Sequence, residues 1–555
     1  MEELFDQVKK RVKAAADKLD LEVDNIELWE PTEKGFGDLS TNVAMMAFKD
    51  SGRKNPLELA EELAGAIKVD EVIEKAEAIK PGFLNFTLQT EFLVSRLPEV
   101  FKSNFGKVEI QKPEKVNVEF ISANPTGPLT MGNARGGFVG DVIANVLKYA
   151  GNDVAREYYF NDAGTQVGKL AESVRAAGGK KVDGEVQYSG EYVDKLAKKF
   201  VDQLDNPELG SLLTEEVFKE YIQGSIDRLN IRFDKWFNEK DLVGEPFDKA
   251  IKKLQDLGLV YEADGALWLK STELGDERDR VLRKTNGDPT YLANDIPYHL
   301  NILEERGFDR AIKVWGADHA GQIPSLRLTV NKLLPGKELE FVIVQWVRLI
   351  KDGQEFKMSK RAGTYVTTDE LLELIGGEHP EEVARWFFIS RSHDTHMDFD
   401  LDLARDRSEK NPIFYAQYAH ARIAGILRQS SSVIPSEVEG SIRKDPHDRQ
   451  GRSQDDNNVN YSLLKEPEER ELIKRLLAFP EVVREAAQGP EYPVHKLPFY
   501  AQELSADFHR FYHHHQVLTD DLNLRASRLM LVKATESVLK IILTELVGVR
   551  APEKM

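Results

Sequence analysis

The stretch from Val116 to Gly140, VNVEFISANPTGPLTMGNARGGFVG, constrains the fold more than any other part of the chain. VNVEFIS has the pattern of a short strand, which Pro125, Gly127 and Pro128 then break. The apolar, glycine-rich segment that follows predicts a helix up to Ala150, with Gly151 placed to stop it. A strand feeding a tight turn and a helix start is suited to phosphate, because the free N–H groups of the first turn and the helix dipole both favour negative charge. Gly132, Gly136 and Gly137 would let backbones approach closely. The spacing is neither GxGxxG nor a P-loop, so the stretch alone leaves the ligand open. Next comes VAREYYFNDAGTQVGKL, a strand, a turn at Asn161–Gly164 and a helix. Strand, helix and strand with short links predict a right-handed βαβ unit and a parallel sheet. The ligand crevice of such a sheet lies at the carboxyl ends of its strands, where Ser122 to Pro128 sit.

A chain of 555 residues should hold several domains. Its lack of cysteine excludes disulfides, thiolate zinc sites and cysteine nucleophiles. No apolar run approaches the roughly 20 residues of a membrane span. MEELFDQVKKRVKAAADKL is charged and amphipathic, unlike a secretory signal, and its acids argue against a transit peptide. A cytoplasmic location is expected. The formal charge of −19 argues against a protein that coats DNA or RNA through a global positive field. Local basic patches could still dock one folded RNA, since they act within a Debye length of about 8–10 Å.

In chain order, Leu4, Val8, Val12, Ala15 and Leu19 recur at helical spacing. Asp38 or Ser40 could cap a helix through Phe48, and Asn55 with Pro56 starts another. KAEAIKPGFLNFTL predicts two strands around Pro81-Gly82. Residues 167–275 are mostly helical in pattern, with solvated lysine pairs at Lys180-Lys181 and Lys198-Lys199 and a hairpin at Asp264-Gly265. Further on, Tyr291, Asp295 and His299 are four apart and share one helical face. An aromatic beside a carboxylate suits a cationic ligand, and a surface Asp with a packed Tyr is the plainer alternative. AIKVWGADHAGQ predicts a buried strand ending at Gly316, followed by Asp318, His319 and Gln322, polar groups at a strand end. Lys357-Met358-Ser359-Lys360-Arg361 sets three cations on a loop flanked by Gly353 and Gly363, a fit for a triphosphate. His393, Asp394, His396 and Asp398 form a polar turn, not a metal site. In NPIFYAQYAHARIAGIL, Phe414, Tyr418 and Arg422 share a face, and the apolar positions from Leu529 to Leu546 end at Gly548. His513, His514 and His515 point different ways along a helix. Gln429 to Asn460 holds no Leu, Phe or Trp, and reads as a disordered loop.

EFISANPTGPLTMGNARGG resembles the first signature of class I aminoacyl-tRNA synthetases, in the form that arginyl-tRNA synthetases use. Where that signature ends in His-x-Gly-His, the chain has Thr130, Met131, Gly132 and Asn133. Lys357 to Arg361 resembles the second signature, Lys-Met-Ser-Lys-Ser, and keeps both lysines. KGFGDLSTNVA and PGFLNF are similar to the N-terminal module of this family, which touches the outer corner of the tRNA. ARWFFISRSHDTHMDFDLDLA resembles its stem, and YAQYAHARI and GVRAPEKM its anticodon-binding domain. The resemblance therefore spans nearly the whole chain. It implies an α/β fold: an α+β N-terminal module over 1–110, a Rossmann-type parallel-sheet catalytic domain over 111–365 with an insertion at about 167–275, a helical stem over 366–408, and an all-α C-terminal bundle over 409–555 interrupted at 429–460.

It also implies roles. Lys357 and Lys360 would steady the phosphates as the catalytic pair. Pro125, Thr126, Gly127, Thr130, Gly132, Asn133, Asp318, His319, Met358 and Ser359 would bind ATP. Glu119, Ser122 and Asn124 would hold the amino-acid end of arginine, with Tyr291, Asp295 and Gln322 at its guanidinium. Tyr415, Tyr418 and Arg422 would meet tRNA(Arg) by stacking and pairing with unstacked bases. Mg²⁺ would arrive with ATP and not in a protein cage, and arginine activation would need tRNA. The protein is expected to be a monomer without DNA or membrane partners. Neither Thr130 nor Asn133 can carry the charge of an imidazolium, so that half of the site is expected to work through neutral hydrogen bonds. The competing readings are a sister class I synthetase for another amino acid and a catalytically impaired RNA-binding relative. Amide hydrogen exchange across 429–460 should be as fast as in an unfolded peptide; strong protection there would refute the reading of that stretch as a loop.

Overall fold

The computed structural model describes residues 4–555 apart from 24, 32–34, 108–112, 162–164, 183, 185, 243, 357–365 and 431–458. Three strands form an antiparallel N-terminal sheet: β1 (Leu39–Thr41), β2 (Ile73–Ile79) and β3 (Phe83–Leu88), in the order β1-β3-β2. The central sheet is parallel. It consists of β4 (Lys115–Glu119), β5 (Asp153–Phe160), β6 (Lys235–Asn238), β10 (Arg310–Gly316) and β11 (Glu338–Val344), in the order β11-β10-β4-β5-β6. Between β6 and β10 lie β7 (Val260–Ala263), β8 (Ala266–Leu269) and β9 (Arg280–Arg283), a separate antiparallel sheet. A last small sheet joins β12 (Val347–Lys351) to β13 (Gln354–Glu355) and β14 (Met397–Asp400).

Strand alternation gives the central sheet two unlike faces. Val116 and Val118 of β4, Tyr158 of β5, and Ile312 and Val314 of β10 pack in one apolar core with the Met131–Tyr149 helix. The intervening residues Asn117, Glu119, Glu157 and Lys313 are also buried, and on this face Glu157 and Lys313 meet Tyr298 of the helix Tyr291–Leu300. The chain runs outward from β4 to β5 and β6 on one side, and from β10 to β11 on the other. The order therefore reverses between β4 and β10, which is where a sheet of this kind opens a crevice.

Several local expectations hold for the reasons given. Asn55 caps the helix Pro56–Ala66 by accepting from Glu58 N–H at 2.9 Å, with Pro56 in its first turn. Asp264 and Gly265 both have positive φ and turn β7 into β8. The long signature helix ends at Tyr149, and Gly151 adopts φ +109°.

Three expectations change. Asp38 and Ser40 cap no helix: residues 39–41 are β1, and Ser40 Oγ donates to Asn85 Oδ1 at 2.7 Å. The helix starts only at Val43, and its N-cap Asn42 makes no side-chain bond. The stretch 167–275, helical over Thr165–Ala177, Glu191–Lys199 and Leu209–Val217, also supplies β6 to the core sheet. The helical run over 366–408 is interrupted by β14, which pairs in parallel with β12. A four-residue strand beside polar turns carries too little periodicity to stand out in sequence.

The C-terminal part is a bundle of the helices Pro412–Ser430, Pro467–Ala486, Lys496–His514 and Leu522–Lys540, continued by Ile541–Val547 and closed by Gly548 at φ +80°. It grips the N-terminal module through Asp38. The carboxylate of Asp38 accepts from Leu88 N–H (2.7 Å), takes both guanidinium nitrogens of Arg470 (2.8 and 2.5 Å), and has Lys474 Nζ at 3.5 Å. Burial alone would raise the Asp38 carboxyl, but the Arg470 pair and the other donors outweigh it and hold it below the usual range. No helix among the described residues is long and apolar enough to cross a membrane. Arg470→Ala strands Asp38 in this interface and should cost about 3 kcal/mol, seen as a lower urea midpoint for loss of N-terminal module structure; an unchanged midpoint would show that the pair holds nothing together.

Candidate active site

At the carboxyl end of β4 the backbone leaves the ordinary regions. Ile121 has φ +65° and Ser122 φ +40°. For a β-branched residue this is a strained conformation, of the kind that surrounding contacts must hold in place. Those contacts are present: Ser122 Oγ accepts from Tyr159 N–H at 3.0 Å, Tyr158 Oη donates to Ala123 C=O at 2.9 Å, and Tyr192 Oη donates to Thr126 C=O at 3.0 Å. The turn then delivers the helix start at Thr130. A Cβ on Gly140 would lie 2.4 Å from Phe120 Cγ, and one on Gly137 2.9 Å from Ile121 Cδ1. These two glycines let the helix lie against the strand end. Gly136 has open space, and Gly132 meets only Thr130 Oγ1 at 3.6 Å. Both line the cleft, so the close approach is made by Gly137 and Gly140.

Thr130 and Asn133 close on each other as a capping box. Asn133 Oδ1 accepts from Thr130 N–H (2.9 Å) and Thr130 Oγ1 (2.8 Å), and Thr130 Oγ1 accepts from Asn133 N–H (3.2 Å). The Thr130 hydroxyl is thus engaged within the helix start. What the pair can still offer a ligand is the carboxamide N–H₂ of Asn133.

The cleft has a volume of about 590 Å³. Of the residues singled out by sequence, Glu119, Ser122, Asn124, Thr126, Gly127, Thr130, Gly132, Asn133, Tyr291, Asp295, Asp318, His319 and Gln322 all line it. Pro125 is in the same turn but does not line it. Lys357, Met358, Ser359, Lys360 and Arg361 lie outside the described residues. Their flanks bracket the site: β13 ends at Glu355, and the chain returns where Val366 C=O accepts from Met131 N–H (3.0 Å) and Thr368 N–H donates to Leu129 C=O (2.8 Å).

Tyr291 is 58% exposed at the rim, in the first turn of the helix capped by Thr290. Asp295 is half-buried one turn deeper, and His299 is fully buried one turn below it. Asp295 makes no side-chain hydrogen bond or ion pair among the described residues. Burial pushes its carboxyl up to about 7; Lys313 works against this, while Glu119 and Glu239 add to it. His299 Nδ1 lies 2.7 Å from Asp295 C=O, so it carries the hydrogen, and Nε2 has no partner among the described residues. Burial, helped by Lys313, holds this imidazole well below the usual histidine range and therefore neutral.

Sequence reasoning missed Lys313. It is fully buried, pairs with Glu119, and places Nζ 3.9 Å from the centroid of the Tyr298 ring. Its position three residues from the strand end and its sheet period were legible, but its opposition to Glu119 needed the β4–β10 register. Trp346, 61% exposed on the cleft wall, was also missed. Asp318 and His319 are exposed on the turn after β10, with His319 Nε2 at 3.6 Å from Asp318 Oδ2.

On the helical bundle, Tyr415 and Tyr418 pack against His509 at 5.2 and 5.8 Å between ring centres, and the exposed Arg422 lies 4.7 Å over the Tyr512 ring. His515 Nε2 meets Glu468 at 2.9 Å, and His514 Nδ1 meets Arg510 C=O at 2.9 Å. His393 faces two carbonyls, Ile343 C=O at 2.9 Å and Glu491 C=O at 2.6 Å.

A parallel sheet with its crevice at the reversal of strand order, a helix start on one wall and a recessed acid on the other define an α/β nucleotide-binding enzyme for a cationic substrate. Comparison with known proteins narrows the class. The profile of the arginyl tRNA synthetase N terminal domain matches residues 5–88, that of the class I (R) tRNA synthetase catalytic domain 97–378, and that of the DALR anticodon binding domain 416–555. The arginine–tRNA ligase of Carboxydothermus hydrogenoformans is 40% identical over 95% of this chain and 94% of its own. That of Bacillus subtilis is 40% identical over 100% and 99%. The arginyl-tRNA synthetase structure of Thermus thermophilus has the same fold, with a TM-score of 0.74 at 24% identity and 99% coverage of both chains. The chain belongs to the arginyl-tRNA synthetase family.

The glycine contrast is testable. Gly140→Ala should lower stability by about 1–3 kcal/mol through the clash with Phe120, whereas Gly136→Ala, in open space on the same helix, should be neutral or stabilising; equal thermal midpoints for the two variants would contradict the close contact.

Proposed function

We infer that this protein ligates L-arginine to tRNA(Arg) in two steps. The arginine carboxylate attacks the α-phosphate of ATP, forming arginyl-adenylate and releasing pyrophosphate; a terminal ribose hydroxyl of the tRNA then takes the arginyl group and AMP leaves. The observation that carries the reading is the acid Asp295, unpaired among the described residues and recessed one turn below the rim aromatic Tyr291 in the crevice of the sheet. A guanidinium entering there gains a charge-assisted hydrogen bond that no described side chain supplies to Asp295.

In this reading Asp295, Tyr291 and Gln322 meet the guanidinium, and Glu119, Ser122 and Asn124 the amino-acid end. ATP lies along Thr126, Gly127, Gly132 and Asn133, with its adenosine toward Asp318 and His319 and Pro125 shaping the turn. Thr130 acts by fixing Asn133, whose carboxamide donates to the nucleotide. Lys357 and Lys360, with Met358 and Ser359 between them, supply the positive charge for the pyrophosphate. Charge stabilisation and positioning carry the reaction; no side chain forms a covalent bond. Magnesium arrives on the triphosphate. The exposed carboxylate of Asp318 is a donor of the type such an ion accepts, and the described residues form no cluster of three potential ligands. The face of Tyr415, Tyr418 and Arg422 meets unstacked bases of the tRNA, with the exposed Arg422 guanidinium offering charge. We take the enzyme to work as a monomer in the cytoplasm, where ATP and tRNA are both abundant.

Arginine-dependent ATP–pyrophosphate exchange with tRNA present tests the activity, and Asp295→Ala should abolish arginine use while the fold persists. The raised carboxyl adds a signature. Below about pH 7 Asp295 holds a proton and offers no charge, so the KM for arginine should rise about tenfold per pH unit as the pH falls, and level off above. A KM flat from about pH 6 to about pH 9 would remove Asp295 from the guanidinium site.

A further inference from the structure

The face of the central sheet beneath the helix Tyr291–Leu300 carries a buried row of charge across three strands. In register, Lys313 of β10 stands opposite Glu119 of β4, and Glu119 opposite Glu157 of β5. Each acid has a cation. Lys313 pairs with Glu119, and Arg306 forks onto Glu157, donating to Oε1 at 2.9 Å. Glu157 also accepts from Asn117 Nδ2 (2.9 Å) and Tyr298 Oη (2.9 Å). The Tyr298 ring is the divider, with its hydroxyl on Glu157 and its face under Lys313 Nζ. Within this layer the two acids and two bases cancel. Among the described residues Asp295 stands above it with no cation of its own, and the next acid, Glu239, is held by Asn294 Nδ2 at 2.8 Å. Among the described residues, Lys313 is the one lysine or arginine that lines the cleft.

We propose that Lys313 is the positioning residue that fixes the charge of the amino-acid pocket: by neutralising Glu119 it leaves Asp295 as the one recessed acid free to answer a singly charged side chain. This rests on the assignment of Asp295 to the guanidinium. Without Lys313, Glu119 and Asp295 face the same small space as two uncompensated carboxylates. Such a pair holds a shared proton to higher pH and titrates as a unit. Arginine would then have to displace that proton before it could bind. Lys313 removes the conflict, and its own freedom is restricted because the Tyr298 ring and the Glu119 carboxylate hold its ammonium from two sides. Among the described residues, the charged and titratable groups facing this space are Lys313, Glu119, Glu157, Arg306, Glu239, Asp295 and the neutral His299, of which Lys313, Glu119, Asp295 and His299 line the cleft.

The experiment is the pH dependence of the KM for arginine, by pyrophosphate exchange with tRNA present, in the wild type, Lys313→Met, Lys313→Arg and Glu119→Gln. Met keeps the methylene packing on Tyr298 and removes the charge, so the midpoint should rise by about one pH unit or more. Glu119→Gln leaves Lys313 uncompensated beside Asp295 and should lower the midpoint by a similar amount. Lys313→Arg keeps the wild-type midpoint. A residue that only fills space would destabilise the protein in Lys313→Met without moving the midpoint, and that result overturns the proposal, as does a shift in Lys313→Arg equal to that in Lys313→Met. If Lys313→Met fails to fold, Glu119→Gln decides alone: a downward shift supports the proposal and an unmoved midpoint overturns it. A wild-type KM indifferent to pH overturns the assignment of Asp295 itself, and this inference with it.

Discussion

The helix Met131–Tyr149 holds the rest of the molecule in place because it buries charges that only distant parts of the chain can satisfy. Arg135 is fully buried and donates to Gln345 C=O (2.7 Å), Thr395 C=O (3.0 Å) and Ser392 C=O (2.8 Å). Burial pulls its guanidinium down to about 10, with Asp394 opposing that. It therefore stays charged at neutral pH, at a cost the three carbonyls offset. Two turns on, Asp141 pairs with Arg156 of β5 and with Arg385, and Arg385 reaches on to Val547 C=O (3.2 Å) and Asn230 C=O (3.1 Å). One helix thus fixes the loop after β11, the turn before β14, the region before β6 and the end of the bundle. Burying charge is costly, but each removal would strand its partner, so such contacts define one arrangement more sharply than apolar packing does.

That rigidity explains which parts of the fold were legible in sequence. The Val116–Gly140 stretch announced the strand, turn and helix because local chemistry dictates them: prolines break the strand, and Gly151 stops the helix. The stripe Tyr291, Asp295, His299 was legible for the same reason, since four-residue spacing puts side chains on one face whatever lies beneath. Asp38 misled because a capping residue and a buried ion-pair partner look alike locally; its partner Arg470 lies more than four hundred positions away. Lys313 was silent for a related reason. A lysine between Ile312 and Val314 announces only an inward- or outward-facing strand position, and its meaning comes from the register with Glu119. Gly140 was passed over in favour of Gly132 and Gly136, because sequence shows which residues lack a Cβ and not which neighbours would meet one.

The departure at Thr130 and Asn133 changes where positive charge can come from. Family resemblance places histidines at these positions, and here a threonine and an asparagine satisfy each other. Their capping box strengthens the helix start, so the N–H groups of the first turn are held in orientation. An asparagine amide aimed by that box is a neutral donor whose strength does not vary with pH, unlike an imidazole.

Seen with the charges of the opposite wall, this makes a consistent division of labour. The wall proposed for the guanidinium has Asp295, with Glu119 paired to Lys313, Glu157 to Arg306, and Glu239 held by Asn294. The wall proposed to meet phosphate has no fixed charge among its described side chains, only dipoles: the helix start and the Asn133 amide. A permanent cation at Thr130 or Asn133 would act across the same cleft on Asp295 and lower its carboxyl, weakening the coupling between arginine entry and proton release. In the proposed reading, keeping that wall neutral leaves the response of Asp295 to be set from the opposite wall, by the Lys313–Glu119 pair and Glu239.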